Sequence, residues 1–349
     1  MLPILCALLV LTSTFTLAEQ TSTATSKALN PDISTNFLGL YKFTNRDADD
    51  AGPTLQEVET QFTADVDPYL RAVALLSLAR EGGEFKIEPE EVYTETLSIP
   101  GVTFRAGKFK AALGRHNRLH SHAFPFIDAP LIHQTLLGGE GLNEVGGSAA
   151  VLMPFPWFSE VTLQGLQSDN EGLFKSGSRY AVVPVAHLKN LWDLSDASTV
   201  ELGFSGAGGR NQWGETTSIL GADLTYKWRP TQGGKYTSFV WSTEFLSGNR
   251  AGRPSDDGSP PALGGIASWV QYQFAERWWA QTRAEYMGPP LADDSVIQRK
   301  YSALLAFLPS EFSGLRLQYS LMDDGSDKME HMVQLQLNVS IGAHPAHAY

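Results

Sequence analysis

Histidine and basic side chains are concentrated in one stretch of the sequence, residues 104–133. FRAGKFKAALGRHNRLHSHAFPFIDAPLIH contains four of the eight histidines, five Lys or Arg residues and a single acid, Asp128. The formal net charge of the whole chain is −12, so this stretch runs against the overall charge. Two kinds of site would use these residue types: a metal site with imidazole ligands, and a positively charged surface that attracts anions.

The metal hypothesis involves four histidines, which are His116, His120, His122 and His133. His120 and His122 would lie on one side of an extended segment, whereas His116 and His120 would share a face of a helix. Together with Asp128, they could bind zinc, the one cofactor that the sequence suggests. No spacing here matches a known helix-borne motif, and hydrogen bonds that fix the segment in place are the alternative.

Strands with strict alternation of apolar and polar residues recur along almost the whole chain. In VQLQLNVSI, residues 333–341, five apolar side chains occupy one face and Gln334, Gln336, Asn338 and Ser340 the other. SILGADLTYKWR, RWWAQTRAEYM and SGLRLQYSLM alternate in the same way, with charged residues in mid-strand on the polar face. Trp157, Trp228, Trp278, Trp279 and Tyr286 lie near predicted strand ends, as in the aromatic girdles of outer-membrane barrels.

The sequence therefore predicts an all-β fold, a transmembrane antiparallel β-barrel of about sixteen strands. The predicted strands are 33–43, 55–66, 69–80, 84–97, 101–110, 144–154, 157–168, 179–190, 198–206, 214–229, 235–247, 262–275, 277–287, 297–308, 313–322 and 329–341. Every second connection is a short turn, as expected on the periplasmic side, with one of them predicted at 189–198. The longest connections fall in the other, external set, an alternation that a soluble sandwich would not explain.

Four segments make up the predicted domain organisation. Residues 1–18 are typical of a secretory signal peptide, and 19–32 form a short periplasmic lead-in. The barrel occupies 33–341, and 342–349 form a periplasmic C-terminal tail. The external loops are acidic, and their carboxylates suggest contact with lipopolysaccharide through divalent cations. They include Asp47, Asp49, Asp50, Asp256, Asp257, Asp293, Asp294, Asp323 and Asp324.

Residues 111–143 form the third external loop, which is the longest connection in the chain. Loops of this length are usually functional or disordered, and its many apolar residues need a surface to pack on. We therefore expect it to fold into the barrel lumen and to form a constriction.

The candidate residues of this pore constriction are Arg105, Lys108, Lys110, Arg115, Arg118 and Asp128. No acid lies between Glu95 and Asp128, so the narrowest point would carry positive potential and favour anions. Alternatively, the basic groups pair with strand carboxylates such as Glu91 and Glu95 and simply fix the loop.

The pattern AGKF…G..NRLH.H..PF.D.PL gives the chain a family resemblance. Its matching residues are Gly107, Lys108, Phe109, Gly114, Asn117, Arg118, His120, His122, Pro125, Asp128 and Pro130. The chain resembles bacterial proteins labelled zinc-regulated outer-membrane proteins or putative TonB-dependent receptors, which are distantly similar to phosphate-selective porins. The resemblance implies a porin-like barrel with expression tied to zinc. The receptor label would require a barrel of about 22 strands with a plug domain, which we do not expect here.

The favoured function is a bacterial outer-membrane channel for passive diffusion of small, anionic solutes, and not an enzyme. One alternative is a zinc-linked metal-binding or uptake component that uses the histidines. Another is an outer-leaflet hydrolase, with Ser121 beside His120 and His122 as the local candidate nucleophile. Expected partners are outer-membrane lipid, lipopolysaccharide and small solutes, with a homotrimer compatible with the sequence and no nucleic acid.

Overall fold

The computed structural model describes residues 30–46, 51–81, 84–170, 172–178, 180–232, 236–254, 260–292, 297–326 and 328–342. The predicted signal peptide, most of the lead-in and nearly all of the C-terminal tail lie outside these residues. Of the acidic loop residues, Asp323 and Asp324 are described, and the carboxylate of Asp324 pairs with the guanidinium of Arg46.

Sixteen antiparallel strands form one closed barrel, which confirms the predicted fold class and strand number. The barrel strands are β1 (Asp32–Thr44), β2 (Gly52–Asp65), β3 (Leu70–Glu81), β4 (Glu84–Thr96), β5 (Val102–Lys110), β6 (Asn143–Leu152), β7 (Phe158–Gln167), β10 (Val182–Ser195), β11 (Ser198–Arg210), β12 (Thr216–Trp228), β13 (Ser238–Arg250), β14 (Ala262–Ala275), β15 (Trp278–Met287), β16 (Gln298–Ser310), β17 (Ser313–Asp323) and β18 (Glu330–Gly342). Two short strands, β8 (Asp169–Asn170) and β9 (Phe174–Lys175), pair with each other in the connection after β7.

The barrel closes because its first strand pairs with its last. Each barrel strand pairs with its neighbours in chain order, and β1 pairs with β18 from Ser34 opposite Gly342 to Thr44 opposite Met332. Closure leaves the sheet no edge, so the backbone groups are bonded within the sheet, as an apolar surrounding requires.

Exposed apolar side chains alternate with buried polar side chains along several strands, most clearly β17 and β18. On β18, Leu335 and Leu337 are each 42% exposed, whereas Gln334 is 5% and Gln336 0% exposed. The faces predicted from VQLQLNVSI are confirmed. An apolar outer band with polar side chains behind it is the pattern of barrels that contact lipid. Among the described residues, no helix is long and apolar enough to cross a membrane.

Two local predictions were wrong, and both concern strand ends. Trp279 was expected in the outer aromatic girdle with Trp278, but successive side chains on β15 face opposite ways. Trp278 is exposed, while Trp279 packs on a buried cluster that includes Phe126.

The turn predicted at 189–198 is much shorter in the structure, because β10 continues to Ser195. The alternation of apolar and polar residues along β10 reverses near Asn190. The backbone pairing of β10 with β11 nevertheless continues past Asn190 to Ser195.

Replacing Leu335 with Arg should destabilise the barrel in lipid vesicles by about 2–4 kcal/mol, the cost of a cation on the lipid face near the bilayer midplane. The matched control is Ile341→Arg, near the end of the same strand, which should cost about 0–1 kcal/mol. Urea unfolding followed by tryptophan fluorescence measures both values. Equal losses for the two variants would contradict the assignment of this face to the bilayer.

Candidate functional site

The connection between β5 and β6, residues 111–142, folds as a compact unit. It contains two 3-10 turns, His116–Arg118 and Ser121–Ala123, and one short helix, α1 (Leu131–Leu137). The Asn117 amide nitrogen donates to the carbonyls of Ala111 (2.9 Å) and Leu142 (3.0 Å), and its oxygen accepts from the Leu142 amide (2.8 Å). Asn117 therefore joins the two ends of the loop.

Apolar side chains of the loop pack against the buried face of the barrel wall. Leu113, Ile132, Leu136 and Leu142 are at most 3% exposed. Their cluster includes one or two apolar residues from each strand of β10–β15, which are Val183, Val185, Ala207, Ile219, Leu246, Leu263 and Met287. The sequence predicts a polar face on this side of the strands, and this apolar section departs from that pattern. It gives the loop a packing surface that alternation alone does not reveal.

Polar side chains of the wall also bond directly to the loop backbone. The amide-to-side-chain bonds are Ala112 to Gln164 (2.8 Å), Gly114 to Ser205 (2.9 Å), Ile127 to Gln318 (2.9 Å) and Leu131 to Glu285 (2.6 Å). In the opposite sense, the Arg316 guanidinium donates to the Phe124 carbonyl (2.6 Å). These wall residues belong to β7, β11, β15 and β17, which lie far apart around the barrel.

Glu244 of β13 binds the start of the loop. Its carboxylate accepts from the amides of Arg115 (2.9 Å) and His116 (3.1 Å) and lies 3.1 Å from Nε2 of His133. Gly114 permits this approach: its φ of +68° favours glycine, and a Cβ there would meet the Glu244 carboxylate. Burial, reinforced by the neighbouring His133, lowers the pKa of His116 well below its usual value, so this imidazole is neutral.

Asp128 lies in a second buried cluster, with two cations and an amide. Its carboxylate pairs with Arg283 (2.9 Å) and Lys300 and accepts from the Gln318 amide (2.6 Å). Burial alone would raise the pKa of Asp128, but the two cations outweigh burial and hold it below its usual range. Asp128 therefore fastens the middle of the loop to β15, β16 and β17.

His120 and His122 lie in a third cluster, against glutamates of β2 and β4. For His120, Nε2 is 3.0 Å from Glu91 Oε2 and Nδ1 is 3.2 Å from Glu90 Oε1. Nδ1 of His122 bonds to Glu59 Oε2. Burial lowers the pKa of His120, but its glutamate partners outweigh that effect and raise the pKa to about 10.

A β-bulge places Glu90 in this cluster. Leu75 pairs with Glu91 and Leu76 pairs with Pro89, so Glu90 has no partner in β3. A bulge changes the direction in which the side chain of the extra residue points. As a result both Glu90 and Glu91 are buried, at 5% and 8% exposure. Strict alternation would put one of them outside, so the sequence predicts Glu91 as a partner of the loop but not Glu90. Glu59 lies on β2 and was not predicted either.

Three of the predicted constriction residues lie on β5. Arg105 pairs with Glu95 (3.0 Å), and the Lys110 ammonium pairs with Glu90 (2.7 Å). Both basic groups are therefore paired with strand carboxylates, as the alternative interpretation predicts. Lys108 pairs in register with Val92, which is 43% exposed on the outer face, and its ammonium donates to the Pro89 carbonyl (2.8 Å). This register places Lys108 at the outer surface and not among the buried residues, which is a correction.

Arg115 and Arg118 face a different part of the wall. Arg115 pairs with Glu201 of β11 (3.0 Å), which also pairs with Lys189 (3.0 Å). The Arg118 side chain is exposed, and within the described part of the chain no carboxylate lies within ion-pair distance of it. Arg118 is therefore a cation that water can reach.

Two cavities lie beside these arginines. One of about 600 Å³ and one of about 130 Å³ share Arg115, Leu119 and Ala123 in their linings. Six basic side chains line the pair: Arg115, Arg118, Lys189, Lys227, Arg229 and Arg316. Three acidic side chains do so: Glu201, Asp223 and Glu311. The free space next to the loop is therefore bordered by an excess of positive charge.

The structure divides the four predicted metal-site histidines into two pairs. His116 and His133 contact each other and Glu244, with ring centroids 4.8 Å apart. His120 and His122 contact the glutamates of β2 and β4, and Asp128 belongs to neither pair. Within the described residues, the one group that brings three potential ligand atoms within 4.8 Å of one another is Glu59, Glu90 and His120.

Sequence comparison provides one distant relative. An uncharacterized protein of Aquifex aeolicus is 28% identical over 343 residues, covering 85% of this chain and 70% of the relative. No protein-family model matches the chain. Neither result supports the zinc-regulated or TonB-dependent labels.

Structure comparison finds outer-membrane porins. A high-pH structure of OprB from Pseudomonas putida has a TM-score of 0.65 at 10% identity, covering 93% of this chain and 97% of OprB. An anion-selective porin from Comamonas acidovorans has a TM-score of 0.61 at 9% identity, covering 89% of this chain and 100% of that porin. At this identity the likeness concerns the fold, and it supports the porin part of the family resemblance.

Asp128→Asn should release the middle of the loop, because it leaves Lys300 buried without a counter-charge and Arg283 with Glu285 alone, at a cost of about 3–5 kcal/mol. Hydrogen exchange of residues 124–132 in the detergent-solubilised barrel should speed up strongly. Asp65→Asn is the control, since it removes a carboxylate from the exposed pair with Arg71 and should leave this loop unchanged. Equal protection in wild type and Asp128→Asn would refute the anchoring role.

Proposed function

We propose that the chain is a bacterial outer-membrane channel through which small solutes, preferentially anions, diffuse passively. The closed barrel with its exposed apolar band is suited to lipid, and its fold is the one found in porins. Lipid would contact that apolar band. Lipopolysaccharide would contact the acidic loops on the external side. A homotrimer stays a prediction.

The loop at residues 111–142 is proposed to lie inside the barrel and to narrow it. The observation that carries this proposal is the distribution of its partners. One loop bonds to side chains of β2, β4, β7, β11, β13, β15 and β17. In a closed barrel, strands on such widely separated parts of the wall can reach a common segment only through the interior.

The proposed preference for anions rests on how the charges are divided. Of the predicted constriction residues, Arg105, Lys110 and Asp128 are paired at the wall away from the cavities. Arg115, which is paired with Glu201, and Arg118 lie beside the cavities. Low-dielectric walls around a basic lining focus a positive potential, which favours anions in the passage. Arg118 contributes most to this argument because its side chain is exposed and no carboxylate among the described residues forms an ion pair with it.

The hydrolase alternative gains no support from the geometry. The two imidazoles that neighbour Ser121 are each bonded to a glutamate of the wall. We therefore propose no catalytic role for Ser121. The metal alternative has a specific structural basis and is considered below.

In a planar bilayer the purified protein should give stepwise conductance, with a reversal potential in a KCl gradient that reports anion preference. The single variant Arg118→Gln should lower the anion-to-cation permeability ratio at least about fivefold. A unit charge a few ångströms from an ion in water changes the energy of that ion by about 1 kcal/mol. This energy corresponds to a factor of about five in permeability. Lys108→Gln removes a cation from the outer surface and is the control. A ratio that responds equally to both changes would refute the assigned filter.

Deletion of residues 116–137 should raise the single-channel conductance several-fold, because the segment proposed to obstruct the interior is gone. Heat-modifiable migration in gel electrophoresis shows whether the variant barrel still folds. Conductance of a folded deletion variant equal to that of wild type would contradict the proposed constriction.

A further inference from the structure

Three potential metal ligands converge where the loop meets β2 and β4. His120 Nδ1 lies 3.2 Å from Glu90 Oε1 and 3.9 Å from Glu59 Oε1. A tetrahedral ion with bonds of about 2.0–2.2 Å to nitrogen and oxygen holds its ligand atoms about 3.4 Å apart. The spacing of these side chains therefore matches a bound ion after small rotations.

Each of these three side chains has one buried atom without a hydrogen-bond partner. Glu59 Oε1, Glu90 Oε2 and His120 Nδ1 are all buried and unpaired. Glu59 is 2% and Glu90 is 5% exposed. An unpaired buried carboxylate oxygen is costly, and Glu59 Oε1, which lies 3.9 Å from Nδ1 of His120, would gain a partner if a divalent cation bound between the two side chains.

The remaining atoms of the same side chains are held by other residues. Glu91 bonds to Nε2 of His120, which leaves Nδ1 free to face the cluster. A carboxylate on the far nitrogen of a histidine is the usual way in which proteins orient that histidine toward zinc. His122 occupies the second oxygen of Glu59. The Lys110 ammonium, 2.7 Å away, occupies Oε1 of Glu90.

We propose that Glu59, Glu90 and His120 form a binding site for a zinc-like divalent cation. Glu91 is a positioning residue that orients the imidazole. An imidazole ligand disfavours calcium and magnesium, which select oxygen ligands. Zinc is the expected occupant because it accepts mixed nitrogen and carboxylate sets in tetrahedral geometry.

The site would fasten the loop to the wall. Glu59 lies on β2, Glu90 at the bulge of β4, and His120 in the loop, so one ion would cross-link three separate segments. Bound metal should therefore reduce the opening of the loop at residues 118–123. This proposal concerns metal binding alone and holds whether or not the barrel conducts ions.

The test is zinc binding to the folded, detergent-solubilised full-length barrel after EDTA treatment and buffer exchange. Isothermal titration calorimetry should give one zinc per barrel. Glu59→Gln and His120→Ala should weaken binding more than tenfold. Glu91→Gln should weaken it about 10–100-fold, as expected for a residue that orients a ligand. At a zinc concentration of 100 Kd, hydrogen exchange of residues 118–123 should slow about 100-fold.

Glu95→Gln is the matched control, because Glu95 lies on the same strand but pairs with Arg105. X-ray absorption of the zinc-loaded wild type should show nitrogen and oxygen ligands including one imidazole. This measurement needs no variant, so it does not depend on whether a variant folds. The proposal is overturned if the folded wild-type protein does not bind zinc. It is equally overturned by unchanged binding in Glu59→Gln, by calcium binding as tightly as zinc, or by a zinc spectrum without imidazole.

Discussion

Closure of the sheet is the constraint on which the rest of the structure depends. In an apolar medium each backbone amide and carbonyl must be bonded, and pairing of β1 with β18 removes the last free edges. Closure also creates an interior whose polar side chains must be hydrated or bonded. The long loop after β5 meets much of that demand, because wall glutamates, glutamines and arginines bond to its backbone and side chains.

Charge is distributed unevenly over the buried face. Acidic side chains gather on β2 and β4, where they hold the loop residues His120 and His122 together with Lys110. Basic side chains outnumber acidic ones around the two cavities, on the side where Arg115 and Arg118 lie. The same loop can therefore be attached on one side by its imidazoles and present arginines on the other. This division accounts for a basic loop in an acidic protein.

The sequence was sufficient for the strands and insufficient for the contacts between them. Alternation in VQLQLNVSI identified the outer and buried faces because a strand has a period of two residues, whatever its neighbours are. The bulge at Glu90 breaks that period, and only the pairing of β3 with β4 reveals it. Trp279 was misplaced for a related reason, since aromatic content indicates a strand end but not a face. The division of the histidines into two pairs depends on the partners Glu244, Glu59 and Glu91. Glu244 and Glu59 are distant in sequence from the loop, and local spacing cannot identify them as partners of the histidines.

The central claim, that the loop lies in the conducting interior, can be tested at Arg118. The chain has one cysteine, Cys6, within the predicted signal peptide, so Arg118→Cys would introduce a single reactive thiol into the mature barrel. A bulky methanethiosulfonate reagent added during single-channel recording should produce a stepwise fall in current, reversed by reductant. An unchanged current, with mass spectrometry confirming that Arg118→Cys is labelled, would contradict the account.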